Sequence, residues 1–68
     1  MFRNLEAEQK RLNLNNSEMA YKLGISRNTY EAKKRLGTFS QSQIVILLKL
    51  FNCKFEYLFQ TEDDRKVS

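Results

Sequence analysis

Gly24 stands directly after a run of apolar residues at helical spacing and two positions before a serine, which confines this part of the chain to a sharp corner between two short helices. Upstream, the Asn15 side-chain oxygen can accept an otherwise unpaired amide hydrogen of a first helical turn, and Glu18 can reach back in a capping box. A helix is therefore predicted to start near Asn16. Met19, Ala20 and Leu23 form its apolar face, and Gly24 ends it as the residue that enters the left-handed region without a Cβ penalty. Ile25 becomes a buried turn residue and Ser26 a second cap, with Arg27, Asn28 and Thr29 as the first exposed helical positions. Ala20 suits the corner, because helices joined by so short a turn approach closely. Tyr30 and the stem of Lys33 are expected to face inward, and Arg27, Asn28, Glu31, Ala32 and Arg35 outward.

The same logic extends to the rest of the chain. It has no proline, both of its glycines fall at predicted helix ends, and its apolar residues recur every three or four positions, so the fold class is all-α. Sixty-eight residues suit one domain, placed at 1–60, whose core at this size buries only about 60% of the chain's surface. A first helix is predicted from Phe2 or Leu5 to Leu12, with Asn4 as a candidate cap and Leu5, Leu12 and Leu14 as apolar contacts. After the basic helix, Gly37 is the stop, and Ser40 with Gln43 opens a fourth helix through a second capping box.

The fourth helix is apolar on nearly every side. Ile44, Leu47, Leu48 and Phe51 make the expected inward stripe, while Val45, Ile46 and Leu50 add apolar groups around the remainder. Together with Tyr57 at the rim of the last helix, these three are the candidate subunit interface; scattered surface hydrophobes are the alternative. The last helix, Phe55 to Phe59 or Gln60, is expected to give Phe55, Leu58 and Phe59 to the core. Lys54, a poor cap, predicts a frayed first turn there. The polar residues 61–68 are expected to form a mobile tail.

The formal charge is +4, and because the tail QTEDDRKVS is itself slightly acidic, the positive excess lies in the body. This leaves open an anionic partner such as nucleic acid or a solvated basic face. A chain with no histidine, one cysteine, no glycine-rich phosphate loop and no evident acidic pair is not expected to be an enzyme, and no metal or cofactor is expected. Cys53 is expected as a small buried hydrophobe in a reducing compartment. The run IVILLKLF is far shorter than the roughly 20 residues of a membrane span, and no signal-peptide core is seen, so a cytoplasmic location without membrane partners is expected.

Over residues 2 to 59, through FRNLEAEQKRLNL, SEMAYKLGISRNTY and LLKLFNCKFEYLF, the chain closely resembles the Cro and phage-repressor family of helix-turn-helix DNA-binding proteins. The resemblance implies a five-helix, lambda repressor-like domain with the helix-turn-helix at helices 2 and 3. It implies a sequence-specific regulator of transcription, a repressor, that binds double-stranded DNA as a homodimer on half-sites about one helical turn apart. In this motif the start of the second helix meets base edges in the major groove. Arg27 is thus the candidate reader of guanine and Asn28 of adenine, with Ala32 able to touch a thymine methyl and Glu31 placed either to accept from cytosine or to tune repulsion from phosphate.

Candidate phosphate contacts are Asn16, Ser17, Thr29, Lys34, Arg35 and Thr38, against the alternative that Lys33, Lys34 and Arg35 only complement the helix macrodipole. Asn16 occupies a position usually held by glutamine, and its shorter arm favours a direct phosphate bond over a bridge to Arg27 or Asn28. Asn13 stands where the family commonly has glycine, a mild departure because asparagine also tolerates the left-handed region. The family's ion pair between helices 1 and 3 cannot form between Gln9 and Lys34, and Glu8 is expected to engage Lys33 or Lys34 instead. The competing reading is a protein-interaction module, antirepressor-like or antitoxin-like, that uses the same scaffold and the apolar surface of helix 4.

Overall fold

A computed structural model describes residues 2–61 as five helices: α1 (Arg3–Arg11), α2 (Asn16–Leu23), α3 (Arg27–Leu36), α4 (Gln41–Phe51) and α5 (Phe55–Leu58). No strand occurs among the described residues. The residues expected to form the tail lie outside them apart from Thr61.

The element boundaries follow local chemistry. Asn15 accepts from the Glu18 amide at 2.8 Å while the Glu18 carboxylate accepts from the Asn15 amide at 2.9 Å, which closes the capping box of α2. Ser26 caps α3 through the Thr29 amide, and Ser40 with Gln43 completes the box of α4. Each capping interaction stabilises its helix by about 1 kcal/mol. Gly24 (φ 71) and Gly37 (φ 73) end α2 and α3 in the left-handed region, where Asn13 (φ 59) and Asn52 (φ 52) also lie. The short amide side chain of Asn52 tolerates that conformation at the end of α4. Lys54 provides no side-chain cap, as its composition predicts, and α5 is a single turn.

The core joins Leu5 of α1, Met19, Ala20 and Leu23 of α2, Tyr30 of α3, Leu47 and Phe51 of α4 and Leu58 of α5, with Phe2 from the position just before α1. Phe2 meets Phe59 edge to face at 5.3 Å between centroids, and Phe39 lies 5.9 Å from Phe59 and 6.0 Å from Tyr30. These rings join the residues just before α1 and just after α5 to the α3–α4 link and, through Tyr30, to α3, which packs on α2. Aromatic pairs of this kind contribute about 0.5–1.5 kcal/mol each beyond the area they bury.

Several expected placements need correction. Asn4 does not cap α1; the helix begins one residue earlier, and the Asn4 amide donates instead to the Tyr57 carbonyl at 2.7 Å and to Gln60 Oε1 at 3.3 Å, which ties α1 to the chain beyond α5. Phe55 is not core. It lies at the uncapped start of a one-turn helix, nearly half exposed, and rests on Phe59 at 5.1 Å. Leu50 is half-buried against the core at the end of α4 that meets α5, so it is not a free surface group. Ile44 and Leu48 are half-buried, Leu12 is exposed, and both Ile25 and Cys53 are only partly buried.

Candidate nucleic-acid interface

The exposed start of α3 is built from its cap outward. Ser26 Oγ accepts from the Thr29 amide at 3.1 Å and donates to Thr29 Oγ1 at 2.8 Å, which fixes the first turn. Arg27 and Asn28 follow as the first two helical residues, and both are exposed. Arg27 Nε lies 3.4 Å from Glu31 Oε2 one turn later, and the Asn28 carboxamide has no side-chain partner among the described residues.

Behind this tip, a continuous chain of polar groups joins three helices. Glu31 Oε2 accepts from Asn16 Nδ2 at 3.0 Å, and Asn16 Oδ1 accepts from Gln9 Nε2 at 2.9 Å and from Lys34 Nζ at 3.0 Å. Gln9 Oε1 in turn accepts from the Tyr30 hydroxyl at 2.7 Å and from Lys34 at 3.5 Å. Lys34 also pairs with Glu6 and sits 5.2 Å from the centre of the Tyr30 ring. Every buried side-chain nitrogen and oxygen among the described residues has a partner, so the desolvation cost of this layer is offset by its own bonds.

These contacts revise the expected roles. The side chain of Lys34 is only 12% exposed and is held on several sides, so it is an anchor between α1 and α3 and not a free phosphate contact. Its carboxylate partner is Glu6; Glu8 instead pairs with Arg11 and accepts from the Tyr57 hydroxyl at 3.0 Å. Asn16 bridges to the third helix after all, but to Glu31, because Glu31 and Lys34 both reach down to its amide. Its oxygen and one amide hydrogen are engaged, which leaves one N–H for any phosphate. Glu31 and Ala32 are half-buried and not fully exposed; the Glu31 carboxylate is drawn toward α2 by its bond to Asn16.

Arg35, Ser17, Thr29 and Thr38 are exposed as expected. Lys33 Nζ donates to the Thr38 carbonyl oxygen at 3.1 Å, which helps close the helix end beside Gly37. Arg35 alone of the three cations in the last turn pairs with no group among the described residues.

Burial of the Tyr30 phenol, reinforced by the Glu6 charge, holds its pKa well above the ordinary tyrosine value. The Tyr57 phenol is raised chiefly by its bond to Glu8, and the Cys53 thiol by burial, with Glu8 adding to the effect and Arg11 opposing it.

Gln9 is the residue of this polar layer whose role the sequence reading did not assign. It is the one buried polar residue among the described residues and lies one helical turn after Leu5, on the same face, so its inward aim is readable from the i, i+4 spacing. A second apolar surface stands apart from α3: Val45 and Ile46 are exposed beside Ser40, Gln41 and Ser42 around a shallow depression, and Phe55 and Tyr57 are exposed on α5. No helix among the described residues is long and apolar enough to cross a membrane, and none of their His, Cys, Asp and Glu side chains cluster as a metal site would require.

No protein-family model, curated protein or solved structure matches the chain.

Proposed function

We propose that this chain is a lambda repressor-like helix-turn-helix protein that binds double-stranded DNA sequence-specifically and acts as a small phage-type transcriptional repressor. The observation that carries the reading is the exposed pairing of Arg27 and Asn28 on the first turn of α3, a helix held at a fixed corner to α2 by the Gly24 turn and two caps. A helix fits the major groove, where a guanidinium can donate to guanine O6 and N7 and a carboxamide can bracket adenine N6 and N7. Arg35, Ser17, Thr29 and Thr38 lie exposed around this tip or on the flanking turns, and they supply the phosphate contacts that set register. Ala32 offers a methyl surface at the edge of the same face. The reading assigns no catalytic step, metal or cofactor.

A homodimer belongs to the same proposal, because two half-sites one helical turn apart require two recognition helices about 34 Å apart. Val45, Ile46 and Tyr57 are the exposed groups proposed for the subunit contact, with Leu50 contributing only its uncovered part. The same exposed residues support the second reading, a module that binds another protein through α4. Selection of duplexes from a random pool at two salt concentrations tests the primary reading. Enrichment of one sequence supports it, and uniform recovery that vanishes with salt counts against it. Sedimentation of the chain alone and on the enriched duplex decides whether the apolar surface joins two copies.

A further inference from the structure

The Glu31 carboxylate is engaged from two sides, by a residue of α2 and by a residue one turn earlier on α3. Its Oε2 is held from behind by Asn16 Nδ2 at 3.0 Å, and Asn16 is held by Gln9 and by the largely buried Lys34. The same oxygen lies 3.4 Å from Arg27 Nε, the nitrogen nearest the arginine stem. An arginine engaged through Nε keeps both terminal nitrogens available, and those are the donors that a bidentate contact to guanine uses.

We propose that Glu31 is a positioning residue for Arg27: anchored through Asn16 to the α1–α3 polar layer, it holds the guanidinium by its inner nitrogen and presents the outer pair to the groove. The inference rests on the DNA-binding reading and adds a specificity determinant to it. A free arginine side chain must be ordered when it meets a base, and a carboxylate already fixed by another helix removes part of that ordering cost in advance. Because Glu31 also places a negative charge near the DNA, its two effects have opposite signs. It raises discrimination between sequences while lowering affinity for phosphate in general.

The test uses the full chain, a duplex enriched from a random pool and a random-sequence duplex of equal length. Glu31→Ala is expected to bind the random duplex more tightly, while the ratio of enriched to random affinity falls about three- to tenfold. Glu31→Gln, which keeps an acceptor oxygen, is expected to retain most of the ratio. In an Arg27→Ala background, Glu31→Ala is expected to leave the ratio unchanged. A damaged fold would lower both affinities, and simple repulsion would raise both equally; either pattern overturns the proposal. If Arg27→Ala loses discrimination but Glu31→Ala keeps it, the positioning role fails while the DNA-binding reading stands. If the parent chain enriches no sequence, both fail.

Discussion

The Tyr30 hydroxyl donates to Gln9 Oε1 at 2.7 Å, a bond between two buried side chains that fastens α3 to α1. Tyr30→Phe removes the donor but leaves Gln9 with Lys34 nearby, so urea unfolding is expected to show a loss of about 1 kcal/mol. Gln9→Leu strands a buried phenol and is expected to cost more, about 1–3 kcal/mol. Equal stability of all three chains would remove this layer from the account.

The same phenol predicts an alkaline limit. Its pKa in the folded chain is raised by burial and by Glu6, so between the ordinary value near 10 and the higher folded value the unfolded chain releases a proton that the folded chain keeps. The stability contribution is complete below pH 10 and is lost as pH rises toward the folded pKa. Unfolding measured from pH 9 to 11 is expected to show a decline that is shallower in Tyr30→Phe.

Gly24 and Gly37 share a left-handed backbone but differ in surroundings. A Cβ at Gly24 meets nothing within 4 Å, whereas at Gly37 it would lie 3.2 Å from Phe2 Cζ. Gly24→Ala is expected to cost about 1 kcal/mol from backbone strain alone. Gly37→Ala is expected to cost more and to disturb the Phe2–Phe59 contact, visible as the larger fall in melting temperature and as altered aromatic signals in NMR spectra.

Neighbouring cations on α3 are expected to separate by role. Arg35 is exposed and unpaired among the described residues, so Arg35→Ala should weaken all duplexes alike and reduce the slope of log affinity against log salt by about 0.9. Lys34→Ala should instead lower folding stability, because it removes the group that holds Glu6, Asn16 and Gln9 together. The two effects are read from a salt titration and a urea curve on each variant.

The difference between these two cations marks what was legible in the sequence. Caps, glycine stops and apolar spacing are local signals, and the predicted helices appear with boundaries shifted by a residue or so; the Asn15–Glu18 and Ser40–Gln43 boxes both close as their spacing requires. Exposure of Arg27 and Asn28 follows from their place just after a cap. Partners across helices were not legible. Nothing in residues 27 to 36 alone says that Lys34 turns back to Glu6 while Arg35 turns out, because that choice depends on where α1 crosses. Phe55 illustrates the same limit: its type suits the core, but a one-turn helix cannot bury every aromatic it carries. A base-reading role for the first turn of α3 is what the resemblance implies, and where the resemblance would put an ion pair, Lys34 instead donates to Gln9 at 3.5 Å.

The most direct measurement compares Arg27→Ala with the parent chain on an enriched duplex and on a random one. The account predicts a loss of about 1–3 kcal/mol on the enriched duplex, with preference relaxed at one base pair and a much smaller change on random DNA. Equal losses on both duplexes would contradict it.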